Sequence, residues 1–142
     1  MGKIIPILFA ILAGFFTTIE ATINVKLGRI VSPKIATLHN LITGLLVILV
    51  ANLLKGTIHE YKKIIHVEPL WLIGGIFGTL IVYMGIKAIP KLGVANTLTI
   101  IVASQIVSGL IVDAFILKQQ CLYLCKLFGI LFLLLGTYLI VK

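Results

Sequence analysis

The chain has 142 residues, of which 61% are hydrophobic and 11% are charged, and its mean hydropathy is +1.24. Because a soluble domain carries roughly 25% charged residues, this composition excludes a soluble globular protein. The net charge of +8 arises from basic residues scattered at the ends of apolar segments, without a basic cluster interleaved with aromatic residues. The charge therefore indicates membrane anchoring and not nucleic-acid binding.

Five apolar segments predict five transmembrane helices, at about residues 4–25, 35–54, 69–89, 94–117 and 121–141. They are helices because a backbone in lipid must satisfy its own hydrogen bonds. Lys26 and Arg29 mark a basic turn after the first segment, Pro69 and Trp71 suit the start of the third, and Pro90 predicts its end near residue 89. The predicted fold is an all-α integral membrane protein with a single domain, residues 1–142.

The longest predicted loop, residues 55–68, has two interpretations. Ile58, Tyr61 and Ile65 share one face of an α-helix, whereas Lys62 and Lys63 lie elsewhere. This pattern is typical of a short helix that lies in the membrane interface. A solvated loop explains the sequence equally well, and both interpretations stay open.

The twelve basic residues divide six to six between the two sides of the membrane. The first side holds Lys3, Lys55, Lys62, Lys63, Lys118 and Lys126, and the second holds Lys26, Arg29, Lys34, Lys87, Lys91 and Lys142. Membrane proteins normally orient themselves by an excess of Lys and Arg in cytoplasmic loops. We therefore predict insertion in both orientations and pairing of two inverted copies; the alternative is a coincidental balance in a chain of fixed topology.

Glu20 is the clearest candidate for a functional residue, because ionisable groups inside a membrane are costly and usually functional. It lies about 24 Å along the first segment at 1.5 Å per residue, in a helical stripe of small and polar residues with Asn24 and Gly28. We expect Glu20 to bind a proton or a cationic group. The alternative is a carboxylate that reaches the interface and pairs with Lys26 or Arg29.

Other polar side chains reach a similar depth from the same side and predict a polar vestibule built from several helices. They are Asn24, His39, Asn40, Tyr83 and Asn96. For His39, a hydrogen-bonded interfacial histidine is an equally good interpretation. For Thr97 and Thr99, a hydrogen bond back to their own helix is favoured over contact with a ligand.

Gln105 lies near the middle of the fourth segment, where an amide needs a partner across a helix interface or a substrate. Glycines predict close packing between helices in the third and fifth segments, at Gly74, Gly78, Gly129 and Gly136. The sequence pairs no nucleophile with a base and has neither a phosphate-binding loop nor metal-ligand spacing. We therefore expect no enzyme, no cofactor and no metal site.

Four short runs carry a resemblance to a known family. They are Ala36-Thr37-Leu38-His39-Asn40, Gly74-Gly75, Leu92-Gly93-Val94-Ala95-Asn96-Thr97 and, most specifically, Val102-Ala103-Ser104-Gln105 with Gly109 and Asp113. These runs resemble the YdcZ-type branch of the drug/metabolite transporter superfamily, and the resemblance covers nearly the whole chain. Longer members of the superfamily carry ten helices as two inverted halves, so the resemblance implies a five-helix, half-size transporter that pairs as an antiparallel homodimer.

The resemblance also implies a function and a set of site residues. The expected function is a secondary active exporter of a small metabolite or drug-like solute in the inner membrane of a prokaryote, with Glu20, Asn40 and Gln105 along the central pathway. Coupling to protons through Glu20 is expected from the residue itself and not from the resemblance. Relatives carry an amide where Glu20 stands and an aliphatic residue where His39 stands, so a mechanism built on Glu20 is peculiar to this chain or wrong. The alternatives are an accessory subunit that pairs with a separate protein, and a passive pore.

Overall fold

The computed structural model describes residues 4–112 and 124–142. In these ranges the elements are α1 (Ile4–Ile30), α2 (Pro33–Leu54), a 3₁₀ segment (Ile58–His66), a 3₁₀ turn (Pro69–Ile73), α3 (Gly74–Leu92), α4 (Val94–Ile111) and α5 (Leu124–Val141). The described part of the chain contains no β-strand. This confirms the all-α prediction.

Four of the described helical stretches are long and apolar enough to cross a bilayer, namely α1, α2, Pro69–Leu92 and α4. In α5 the apolar stretch Phe128–Val141 is shorter. The prediction of a membrane protein built from apolar helices is therefore confirmed, and a count of five transmembrane helices stays a prediction. Residues 113–117 of the predicted fourth helix, including Asp113, and residues 121–123 of the fifth lie outside the described residues, as do Lys3 and Lys118.

The first helix is longer than predicted, because nothing between Lys26 and Ile30 interrupts it. Arg29 lies in its last turn, where a cation is favourable next to the negative end of the helix dipole. The Ser32 hydroxyl then accepts a hydrogen bond from the Ile35 backbone N–H at 3.2 Å and caps α2. Pro33 suits the first position of α2, since its missing N–H would have no helical partner there. The turn between α1 and α2 therefore has only two residues, Val31 and Ser32, and the basic residues expected in it lie in the two flanking helices.

The third helix continues through Pro90 to Leu92, so the predicted end near residue 89 is wrong. Pro90 lacks the N–H that would donate to the Ile86 carbonyl, and the helix continues past it for two residues. The helix ends before Gly93, whose φ of 86 favours glycine and whose N–H donates to the Ile89 carbonyl at 2.8 Å. The next helix begins at Val94, immediately after this glycine.

The connection between α2 and α3 is helical but not α-helical. Its 3₁₀ segment has three residues per turn, so Ile64 and not Ile65 aligns with Ile58 and Tyr61. Ile64 is half-buried and Ile65 is 81% exposed, which corrects the predicted apolar face. Pro69 begins a 3₁₀ turn as expected for a first-turn proline.

The chain divides into two compact units, residues 1–87 and 88–142. In the first unit, α1 packs against α2 close to the turn that joins them, and the buried residues are Asn24, Val25, Ala36, Thr37 and Ile86. In the second unit, α4 packs against α5, and the buried residues are Ile89, Thr97 and Ala103. The remaining large apolar side chains of the described helices are mostly exposed, as the lipid-facing side chains of a membrane protein are.

One glycine supports a close approach between helices. A Cβ placed on Gly28 would stand 2.7 Å from Cγ2 of Ile86, so α1 and α3 meet at this point. Nothing in the described part of the chain lies within 4 Å of a Cβ placed at the four glycines predicted to pack, Gly74, Gly78, Gly129 and Gly136. A packing role for these four glycines stays a prediction.

Candidate functional site

Three of the predicted site residues meet at the interface between α1 and α2. The side-chain amide of Asn40 donates a hydrogen bond to Oε1 of Glu20 at 2.9 Å and so joins the two helices. The amide of Asn24, one turn further along α1, lies 3.5 Å from the same oxygen. We call this group, Glu20 with Asn24 and Asn40, the carboxylate cluster.

The local sequence explains why these side chains meet. Asn24 follows Glu20 by four residues, so both point to the same face of α1. The tight turn at Val31 and Ser32 makes α1 and α2 antiparallel neighbours. Glu20 lies about 15 Å before the end of α1 and Asn40 about 10 Å after the start of α2, at 1.5 Å per residue. The long glutamate side chain spans the difference.

The partners of Glu20 are neutral donors and not cations. The ion pair found among the described residues is Lys63 with Glu60, at 3.6 Å on the exposed 3₁₀ segment. In the structure Glu20 therefore does not form the ion pair with Lys26 or Arg29 that the alternative interpretation predicted. A carboxylate offers about four lone pairs, and the two amides compete for one oxygen, so acceptor capacity remains for a ligand.

The carboxylate cluster opens onto an elongated depression along α2, with a volume of ≈ 580 Å³. Its polar end contains Glu20 and Asn40, and the rest is lined by Thr43, Gly44 and the apolar side chains of Leu41, Leu45, Val47 and Ile48. From Asn40 to Ile48 the depression follows α2 for about 12 Å at 1.5 Å per residue. An apolar surface with one carboxylate at its end suits an amphipathic solute.

Burial differs among the three members of the carboxylate cluster. Asn24 is 5% exposed and Asn40 is half-buried, whereas the Glu20 side chain is exposed. Asn24 thus lies behind the carboxylate and outside the depression, whereas Asn40 and the exposed Glu20 both line it. A solute in the depression can therefore reach the carboxylate without displacing either amide.

The remaining predicted site residues lie outside the carboxylate cluster. His39 is exposed and does not line the depression along α2. Tyr83 is half-buried, and Nζ of Lys87 lies 5.2 Å from the centre of its ring, a cation–π contact that the sequence prediction missed although the two residues are one helical turn apart. Asn96 is half-buried and Gln105 is exposed, both on α4 in the second unit. A vestibule shared by four helices stays a prediction.

The threonines of α4 behave as predicted. The hydroxyl of Thr97 donates to the Gly93 carbonyl and that of Thr99 to the Ala95 carbonyl, each at 2.8 Å. These bonds within one helix satisfy the hydroxyl donors. Both hydroxyl groups therefore bond back to their own helix, which confirms the interpretation that the sequence favoured.

Sequence reasoning missed the apolar wall beside Glu20. Asn40, Gly44 and Ile48 recur every four residues, so they share one face of α2. Gly44 has nothing within 4 Å of a Cβ placed on it, which leaves open space in the middle of this face. The spacing is a usable signal, but it lies in a run of apolar residues that suits a lipid-facing surface equally well.

Comparisons with known proteins agree with the resemblance seen in the sequence. The family model described as "Putative inner membrane exporter, YdcZ" matches residues 5–139. The chain is 26% identical to the inner membrane protein YdcZ of Escherichia coli (strain K12) over 148 residues, which cover 100% of this chain and 98% of that protein. No solved structure matches the chain.

Proposed function

The chain belongs to the YdcZ family of inner membrane proteins, and on this basis we propose that it is a secondary active transporter that exports a small metabolite or drug-like solute. The family match extends over almost the whole chain, and the described helices include four that are long and apolar enough to span a membrane. An inner membrane location with several membrane passes follows from the same findings.

The observation that carries the proposal is the hydrogen bond between Asn40 and Glu20. It holds a carboxylate about 10 Å along α2 from Pro33, beside an open depression. A carboxylate at this depth is costly unless it binds something. We propose that Glu20 binds a proton or the cationic group of a solute, and that the apolar wall of α2 contacts the rest of the solute.

Protonation of Glu20 would also change the contact between the two helices. A hydrogen bond to a charged acceptor contributes about 1.5–3 kcal/mol, and one to a neutral acceptor about 0.5–1.5 kcal/mol. Binding of a proton therefore weakens the link between Asn40 and Glu20 by about 1 kcal/mol, a factor of about five in an equilibrium between joined and separated helices. This difference gives the site a means to couple proton binding to a conformational change.

Two inverted copies would turn this one-sided site into a transport pathway. Alternating access in many transporters arises from inverted halves that rock about a central site. The even division of the twelve basic residues supports insertion in both orientations. The depression beside Glu20 is open in the single chain, so a second copy has room to form its opposite wall.

Proteoliposomes with an imposed pH gradient test the proposal. The purified chain is screened against a panel of small amines and neutral metabolites, and any solute that accumulates is measured again with the Glu20→Gln variant. We expect at least one solute to accumulate above protein-free liposomes, and the gradient-driven part of its uptake to disappear in Glu20→Gln. Transport that is unchanged in Glu20→Gln would exclude the proton role but leave a transporter, whereas no transport across the panel would contradict the function itself.

A further inference from the structure

Gln105 is a polar side chain close to the middle of the membrane. It lies about 16 Å along α4 from Val94, and half of the hydrocarbon core measures about 15 Å. Its side chain is exposed, and no hydrogen bond to its amide is found among the described residues. A primary amide in hydrocarbon is costly without a hydrogen-bonding partner. The exposed amide therefore needs a partner that lipid does not provide.

The face of α4 that carries Gln105 points away from α5. Ala103, the buried residue of this region, lies about 160° around the helix from Gln105 at 100° per residue. Ala103, Val107 and Ser108 line a depression together with Leu134 of α5, which identifies the packed face; Ser108 stays exposed and lies on the side of α4 between this face and Gln105. Gln105 is thus exposed on the side of α4 that points away from the buried Ala103.

The surroundings of Gln105 suit contact with another helix. Val102 and Ile106 on this side of α4 are exposed. Gly109, one turn after Gln105, has nothing within 4 Å of a Cβ placed on it, so another backbone can approach closely. Small residues at such positions are enriched where membrane helices pack. The surface of Val102, Gln105 and Gly109 is called the α4 face below.

Symmetry selects the partner. Two inverted copies in a membrane are related by a two-fold axis that lies in the membrane plane, and a residue meets its own counterpart only at the depth of that axis. Gln105 lies at this depth, whereas Asn40 is about 10 Å from the second side. An amide has both a donor and an acceptor, so two copies can bond reciprocally.

We infer that the α4 faces of two inverted copies meet at the two-fold axis, with Gln105 hydrogen-bonded to Gln105 of the second copy. This inference rests on the antiparallel pair in the proposed function and identifies the residue at its axis. It also fixes the register. Val102 of one copy lies opposite Ser108 of the other, because these residues stand three positions on either side of Gln105.

Disulfide cross-linking tests this register. In a background with both native cysteines replaced by serine, Gln105→Cys is placed alone, and Val102→Cys and Ser108→Cys are placed on separate, differently tagged copies that are expressed together. Two Val102 positions would lie about 9 Å apart along the helix axis, and a disulfide requires Cα atoms within about 7 Å. Val102→Cys alone and Ser108→Cys alone are therefore the matched controls, and both retain Gln105.

With a copper–phenanthroline oxidant, we expect dimers from Gln105→Cys and from the mixed pair, at about ten times the yield of either control alone. Cross-linking of each control with itself would indicate parallel copies and overturn the inference, and so would the absence of dimers from both Gln105→Cys and the mixed pair. Labelling of topology in the same samples separates the two proposals. Dual topology without cross-links refutes the α4 contact alone, whereas a single orientation also refutes the inverted pair.

Discussion

The hydrogen bond between Asn40 and Glu20 makes the first prediction quantitative. Interhelical hydrogen bonds in membrane proteins average about 0.6 kcal/mol and reach about 1.7 kcal/mol, and hydrogen bonds to charged groups contribute about 1.5–3 kcal/mol in general. The two ranges overlap near 1.5 kcal/mol. We therefore expect a coupling free energy of about 1.5 kcal/mol between Glu20 and Asn40, which corresponds to roughly tenfold in the unfolding equilibrium.

A double-mutant cycle with Glu20→Ala and Asn40→Ala measures this coupling through reversible unfolding in mixed micelles. The second cycle, with Glu20→Ala and Asn24→Ala, is the matched control, because the Asn24 amide lies 3.5 Å from the same oxygen, at the limit of a hydrogen bond. We expect its coupling to stay below about 0.5 kcal/mol. In a Glu20→Gln background, which removes the charge and keeps the acceptor, the coupling to Asn40 should fall to about 0.6 kcal/mol.

The result that would refute this reasoning is a coupling to Asn24 as large as the coupling to Asn40. The shorter distance of 2.9 Å between the Asn40 amide and Glu20 Oε1 would then not correspond to a stronger interaction, and the contact between α1 and α2 would not depend on the carboxylate. An unchanged coupling in the Glu20→Gln background would refute a narrower point, namely that protonation loosens the two helices.

Two further substitutions test the backbone geometry at Gly28 and at Gly93. Gly28→Ala places a methyl group against Cγ2 of Ile86 and should lower the free energy of unfolding by about 1–3 kcal/mol. Adding Ile86→Ala should restore part of this loss. The control is Gly14→Ala, which lies in open space and should not destabilise the fold. Equal effects at the two glycines would contradict the contact between α1 and α3. Gly93→Ala should cost about 1–3 kcal/mol because of the φ of 86, and Gly85→Ala is its helical control; a harmless Gly93→Ala would show that the turn has another conformation.

The depth of the site can be predicted from the sequence, but the contact cannot. Glu20 and Asn40 each lie five residues from a predicted helix end, which predicts one shared level. Both helices are longer than predicted, by five residues at Ile30 and by two at Pro33, so the shared level is nearly preserved. The direction in which each side chain points depends on how α1 and α2 pack. Packing depends on contacts between residues that are distant in sequence, such as Gly28 and Ala36, and the sequence alone does not reveal them.

The errors at helix ends have local physical causes. The sequence treats Pro90 as a stop, but α3 continues to Leu92 and ends before Gly93, whose φ of 86 is not helical. The sequence also predicts α-helical spacing for the 3₁₀ segment Ile58–His66, because nine residues are too few to distinguish three residues per turn from 3.6. For Gln105, its position in the fourth apolar segment predicts its depth in the membrane, and the structure adds that its side chain is exposed on α4.

The central claim is that two inverted copies form one transporter, and topology labelling tests it most directly. Ile65→Cys, at a position that is 81% exposed on the 3₁₀ segment, is introduced into a background without other cysteines and treated with a membrane-impermeant maleimide before and after the cells are permeabilised. A second variant carries Ile30→Cys instead, at the end of α1 and therefore on the opposite side of the membrane from the 3₁₀ segment that follows α2. We expect about half of each protein to react in intact cells, because the balanced charge gives no preferred orientation. Complete labelling of one position and none of the other would contradict the inverted pair.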